Sequence, residues 1–235
     1  METGISVQEA VLRLFLIRHG QSESNAHWDQ MLESSQMNAH LTALGRSQVD
    51  QLADWMREKV PQVDAIYTSS LHRALESAAP LEILYNLQAV VDHRIREGGY
   101  CYKTGAPIED HLLPIHKLVN FHADPFTPFA THPPEVESYH DLRTRVGNFL
   151  GDLIQNHVNQ TVVVINHGWV LNAFIDIVFN VGSQRSVYLY PENTSITYLE
   201  YIHPYRMGPW RAYFIAQTPH LDVFPNGMLT FNAEA

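Results

Sequence analysis

Along the chain, short and densely apolar runs alternate with longer stretches in which apolar residues recur every three or four positions. The first run, Leu12–Ile17 (LRLFLI), reads as a buried strand that stops abruptly on Arg18, His19 and Gly20, before a string of small polar residues. Leu41–Val60 has helical periodicity: Thr42 is placed to cap it, and Val49, Leu52, Ala53, Met56 and Val60 share one face. Val63–Ser70 predicts a second strand, running into serines. Leu71–Ala79 predicts a helix that Pro80 should disturb. Leu87–Asp92 predicts a third strand. Further on, Ser138–Val158 predicts a helix with Leu142, Val146, Phe149, Leu150, Leu153 and Ile154 on its inner face. Thr161–Asn166 is a wholly apolar strand ending on His167-Gly168, and Val170–Asn180 is a buried helix. Ser195–Tyr201 and Trp210–Ala216 are strands with no helix between them, so they are expected to pair antiparallel.

Strands alternating with helices imply an α/β fold with a mainly parallel sheet covered by helices on both faces. No internal repeat is visible, and residues 1–235 read as one domain. One stretch breaks the rhythm. Residues 100–137 hold six prolines (Pro107, Pro114, Pro125, Pro128, Pro133, Pro134) and scattered aromatics, and only Ile108–Phe121 hints at a helix. So long a weakly patterned connection suggests a lid-like insertion over a site; the plainer alternative is a surface insertion with its own apolar cluster.

Composition narrows the function. The chain has 235 residues, 45% hydrophobic and 17% charged, with a formal net charge of -10. No general basic field exists to attract nucleic acid or an anionic membrane, so an anionic substrate must be held by local positive charge. Cys101 is the only cysteine, which excludes an intramolecular disulfide and a cysteine metal cluster. The segment METGISVQEA lacks a basic, long apolar leader, and VLRLFLI is too short to span a bilayer. A soluble cytoplasmic protein is expected, and a homodimer is left open.

In a parallel sheet, ligands sit at the carboxyl ends of the strands. Arg18-His19 and His167 lie at two such ends, Arg73 follows a third, and Glu97 comes shortly after a fourth. Arginine forks match tetrahedral oxyanions. A neutral imidazole can attack phosphorus, a second can donate to equatorial oxygens, and a carboxylic acid can protonate a departing alkoxide. Two His, two Arg and one Glu therefore suit phosphoryl transfer without a metal or other cofactor. Each element alone has an ordinary explanation. Arg73 with Glu76 would be a surface ion pair on a helix, Glu97 a loop carboxylate, and His167-Gly168-Trp169 a helix cap.

The ordered set carries more. RHGQSESN resembles the Arg-His-Gly-x-Ser/Thr-x-x-Asn signature of the histidine phosphatase (phosphoglycerate mutase-like) superfamily. LTALGRSQ, YTSSLHRALESA, RIREGG, ESYHDLRTRVGNFL, VVVINHGWVLNAFI and NTSITYLEY resemble its successive segments, in order, over most of the chain. The resemblance implies a phosphoglycerate mutase-like fold. It makes His19 the nucleophile that becomes phosphorylated and Glu97 the proton donor and later the base. Arg18, Arg73 and His167 would hold the phosphoryl oxygens, with Asn25 and the Gly168 amide assisting.

The departures matter too. Mutases of the family follow the acid with an Arg-His-Tyr-Gly-like run and carry a later Arg-Arg pair; here the acid precedes GGYCYKTGAP, and no Arg-Arg occurs. The Gly-x-Trp-Glu-Gly stretch of many family phosphatases is missing as well. The leading expectation is a metal-independent phosphomonoesterase for a small phosphorylated metabolite. The alternatives are a cofactor-dependent mutase and a weakly active phosphate-binding regulatory protein. A histidine-rich metal protein fares worse, because His111, His116, His122, His132 and His140 do not fall on one helical face. Trp28, Trp169, Tyr100, Tyr102, Lys103, Phe121, Phe126 and Phe129 suggest a leaving group with some apolar or ring surface, with core packing the equal alternative. Ser34 or Ser35 is the expected extra phosphate contact from the 26–40 loop.

Overall fold

The computed structural model describes residues 10–27, 38–113, 124–183, 187–203 and 208–221. Trp28, Ser34, Ser35, His116, His122 and Phe121 lie outside the described residues. The elements run β1 (Ala10–Arg18), α1 (Glu23–Ala26), α2 (Ala43–Lys59), β2 (Ala65–Thr68), α3 (His72–Tyr85) and β3 (Val90–Val91). After the irregular stretch come α4 (Tyr139–Asn156), β4 (Thr161–Asn166), α5 (Gly168–Val178), β5 (Ile196–His203) and β6 (Trp210–Gln217).

The six strands form one sheet in the order β3-β2-β4-β1-β5-β6. The first four of these are parallel neighbours, and β5 and β6 close one edge antiparallel, as their apolar pattern predicted. Successive side chains on a strand point to opposite faces. Leu12, Leu14 and Leu16 of β1 and Val162 and Val164 of β4 therefore enter one apolar cluster with α4 and α5. Phe15, Ile17, Val163 and Ile165 enter the other, with α2 and α3. Both faces are covered, which is why β1 and β4 read as continuous apolar runs rather than alternating ones. Among the described residues no helix is long and apolar enough to cross a membrane.

Two expectations are corrected. Pro80 does not disturb its helix: α3 continues through it to Tyr85 and ends on Asn86 in the left-handed conformation. Ala74, Ala78 and Leu81 bury the same face before and after the proline, and that packing outweighs the lost backbone hydrogen bond. The 100–137 stretch, in its described parts, has no separate apolar cluster of its own. Tyr100, Ile108, Leu113, Phe129 and Val136 are buried in the main core with α4 and α5. Of the helix hinted at over Ile108–Phe121, a single 3-10 turn at Asp110–Leu112 is present among the described residues.

Candidate active site

β1, β4 and β2 are parallel neighbours, so their carboxyl ends meet at one edge. Arg18 pairs with Asn166 in register, and the His19 amide donates to the Asn166 carbonyl at 3.0 Å. The turn beyond His19 needs glycine for space. A Cβ on Gly20 would lie 2.6 Å from the Gly45 carbonyl oxygen, and one on Gly45 would lie 2.0 Å from the Gln21 carbonyl oxygen. The start of α2 thus presses against the His-Gly turn, and Gln48 locks it by accepting from the Gln21 amide at 2.9 Å.

His19 is buried, and its neighbours fix its tautomer. Nδ1 lies 2.7 Å from the Gly20 carbonyl oxygen, which can only accept, so Nδ1 carries the proton. Nε2 receives Arg73 Nε at 3.2 Å, and arginine can only donate, so Nε2 presents a lone pair. Burial holds the His19 pKa well below the usual 6.5, and the Arg73 and Arg18 cations depress it further. The ring is therefore a neutral base at ordinary pH.

His167 stands beside it, with ring centroids 5.0 Å apart. It occupies the N-cap position of α5 but makes no side-chain cap bond, and both ring nitrogens are buried without a hydrogen-bond partner among the described residues. The cap explanation fails on that geometry. Burial, Arg73 and His19 push its pKa well below 6.5. Arg73 is buried in the first turn of α3, with its guanidinium 5.4 Å from the Tyr100 ring centre. It does not pair with Glu76, which instead bonds His40 and the Leu41 amide. Arg18 sends Nη1 to the Pro191 carbonyl at 2.5 Å, and its Nε is buried without a partner among the described residues.

Glu97 reaches the same edge from outside the sheet. Its Oε1 accepts from the Gly98 amide at 2.9 Å and from the Trp169 amide, in the first turn of α5, at 3.1 Å. Burial raises its pKa above the usual 4.5, although these two amides and the Arg73 and Arg18 cations pull the other way. Gly168 opens α5, where a Cβ would sit 3.6 Å from the Tyr188 hydroxyl and 3.8 Å from Glu97 Oε2. Asn25 is placed at the rim. Its side-chain carbonyl already accepts from the Ser22 amide and from Asn193, so only its NH2 group is left to meet an oxyanion. Unpaired donors on a buried floor are costly, about 1–3 kcal/mol each, unless an anion meets them. Among the described residues, no group of three or more His, Cys, Asp or Glu is placed to hold a metal ion.

Residues 14–206 match the sequence model of the histidine phosphatase superfamily, branch 1. The chain belongs to that superfamily. It is 31% identical over 189 residues to a Hydrogenobacter thermophilus protein assigned as a phosphoserine phosphatase, covering 79% of this chain and 87% of the relative. It is 29% identical over 180 residues to a 2,3-bisphosphoglycerate-dependent phosphoglycerate mutase of Bartonella bacilliformis, covering 74% and 84%. Its fold superposes with a TM-score of 0.66, at 23% identity, on an Entamoeba histolytica phosphoserine phosphatase solved with 3-phosphoglyceric acid, covering 89% and 98%.

This histidine phosphatase also uses residues that the sequence reading passed over. Ser77 Oγ accepts from the Gly20 amide at 3.0 Å and donates to the Arg73 carbonyl at 2.6 Å, tying α3 to the His-Gly turn. Asn193 Nδ2 lies 3.1 Å from both the His19 carbonyl oxygen and Asn25 Oδ1. Both sit inside the segments that resemble the family, but nothing in their spacing marks them. Tyr188, whose ring lies tilted against Trp169 with centroids 4.7 Å apart, carries no sequence signal either. The Trp169 ring also meets Phe129 and Tyr139, so much of it serves packing.

Proposed function

We propose that this phosphatase hydrolyses small organic phosphomonoesters through a phosphohistidine on His19, without a metal ion. His19 Nε2 attacks phosphorus, an N–P bond forms and the P–O ester bond breaks. Glu97 gives its proton to the departing alkoxide. Water then attacks the phosphohistidine, Glu97 takes the water proton, and the N–P electron pair returns to Nε2. Arg18, Arg73 and His167 face the equatorial oxygens, and an incoming dianion would reverse the low proton affinity that burial gives His167.

The observation that carries this reading is the fixed tautomer of His19, with its lone pair turned to Arg73 and its proton held by a carbonyl. A surface or packing histidine needs no such arrangement. Names of relatives point to phosphoserine and phosphoglycerates as the first esters to assay. Relatives named as mutases exist as well, but the one basic residue in the stretch after Glu97, Lys103, lies 3.1 Å from Glu135 and is already engaged.

The test is free-phosphate release from a panel of phosphoserine, phosphoglycerates and sugar phosphates under chelation, with a base-stable, acid-labile label trapped from labelled substrate. We expect phosphate release and label on His19. Faster isomerisation of phosphoglycerate than phosphate release would make it a mutase. Label without turnover would make it a binding protein.

A further inference from the structure

Glu97 has a weakness as a catalytic group: it sits on irregular backbone. The 3-10 turn that precedes it in the chain, His93–Ile95, ends two residues earlier. Its carboxylate is tied to the start of α5, but that bond alone does not hold the main chain behind it. Two buried, oppositely charged side chains do. Arg145, on α4, is 4% exposed, and Glu137, just before the Ser138 cap of α4, is 0% exposed. They form a bidentate pair, Nε to Oε2 and Nη2 to Oε1, both at 2.7 Å.

The remaining side-chain bonds of this pair go to the backbone around Glu97. Arg145 Nη1 donates to the Arg94 carbonyl at 2.7 Å, and Nη2 donates to the Glu97 carbonyl at 3.1 Å. Glu137 Oε1 accepts from the Gly99 amide at 3.0 Å, and the Glu137 amide donates to the Cys101 carbonyl at 3.0 Å. Four backbone groups between residues 94 and 101 are thus fixed to the end of one long helix.

We propose that the Glu137–Arg145 pair is the positioning element of the acid, transmitting the rigidity of α4 to Glu97. A stability role explains it less well. Replacing a buried ion pair by apolar residues is often neutral for stability, whereas apolar side chains could not hold the Arg94 and Glu97 carbonyls and the Gly99 amide in place; the Glu137 amide bond to Cys101 is main chain and survives any substitution. A displacement of about 1 Å at a reacting group costs on the order of 10²-fold in rate. The inference rests on Glu97 acting as the acid.

The experiment compares kcat/KM for p-nitrophenyl phosphate, whose leaving group needs no proton, with that for the alkyl ester hydrolysed fastest in the panel. The variants are Glu137→Gln, Arg145→Lys and the apolar double variant Glu137→Met/Arg145→Met, which leaves no charge stranded. Alkyl turnover should fall by about 10- to 100-fold while aryl turnover changes by less than about threefold. Vanadate affinity, which reads the phosphate-holding groups, should not change. In a Glu97→Gln background the same substitutions should add nothing. Equal losses on both esters, weaker vanadate binding, or full additivity with Glu97→Gln would overturn the positioning role and leave a structural one. A folded double variant with the wild-type alkyl-to-aryl ratio would overturn it as well. Should Glu97→Gln itself hit both esters equally, the acid assignment fails first and takes this inference with it.

Discussion

His19 and His167 leave the sheet from neighbouring parallel strands whose residues are mostly buried, and the glycines and serine around them are fixed by contacts between the His-Gly turn and helices α2 and α3. Glu97 stands in a stretch with no strand beneath it, held by Arg145, Glu137 and the Trp169 amide, residues 40 or more positions away in the case of Arg145, Glu137 and Trp169 alike when counted from the start of that stretch at His93. The two halves of the candidate site, which in the proposed mechanism act on one phosphorus, are built by different means. One is positioned by sheet geometry, the other by long-range polar contacts and by Phe129, whose ring would lie 2.5 Å from a Cβ on Gly98. In the proposed mechanism the rigid half would grip the phosphoryl group, which every substrate shares. The assembled half would meet the leaving group, which differs between substrates.

That contrast predicts how variants sort by leaving group. His19→Ala should have the largest effect: loss of activity on aryl and alkyl phosphates alike, beyond the about 10²–10⁴-fold typical of losing a general acid. Steady-state assays of both ester types check it. Residual turnover that still favours one leaving group would place the nucleophile elsewhere.

Glu97→Gln comes next, with an expected loss of about 10²–10⁴-fold on alkyl esters and much less on an aryl ester. The pH profile adds a sign. Because burial lowers the His19 pKa, the acid limb, where His19 must lose its proton, should lie well below pH 6.5. Because burial raises the Glu97 pKa, protonated Glu97 persists above 4.5 and is lost as pH rises, giving the alkaline limb. Glu97→Gln should abolish the alkaline limb and keep the acid one. An unchanged bell would remove Glu97 from the alkaline limb and from the acid role.

Arg73→Ala belongs to the rigid half. Losing one donor to the transferring group costs about 2.7–4 kcal/mol, or about 10²–10³-fold in kcat. Vanadate binding should weaken in parallel, because a site complementary to the transition state binds its mimics through the same donors. The acid limb should also move to higher pH, since the Arg73 cation lowers the His19 pKa and its removal lets the imidazole hold its proton longer. A vanadate titration and a pH profile on the same variant test both. A fall in kcat with vanadate affinity intact would show that Arg73 only packs.

The same contrast explains what the sequence made legible. Runs such as Leu12–Ile17 and Thr161–Asn166 have to be apolar because both faces of β1 and β4 are covered, so their ends, and the histidines on them, can be read directly. Arg18, Arg73, His167 and Glu97 were expected at one edge, and the structure brings them together there. Pro80 misled because local propensity was weighed without the buried face of α3. The alternative of a separate apolar cluster in the 100–137 stretch failed because its aromatics have no period, although Phe129 and Val136 fill the main core. Ser77 and Asn193 were invisible for a third reason. Each acts through one or two hydrogen bonds to backbone, and a serine or asparagine that does so looks like any other polar residue.

Asn193→Ala should have the smallest effect, and it tests where the boundary between the two halves runs. Its Nδ2 bonds the His19 carbonyl and Asn25, but the Thr194 amide also donates to the His19 carbonyl at 3.2 Å, so that oxygen keeps a partner. The expected cost is therefore that of one ordinary hydrogen bond, about 0.5–1.5 kcal/mol of stability. The rate should fall by no more than about tenfold, the kinetic equivalent of about 1.4 kcal/mol. Since Asn193 supports His19 and the phosphate rim rather than Glu97, aryl and alkyl esters should suffer alike. Thermal unfolding and paired kcat/KM values measure both effects. A loss confined to alkyl esters would mean that the β5 side also steers the leaving group, and the division between a rigid grip and an assembled acid would no longer hold.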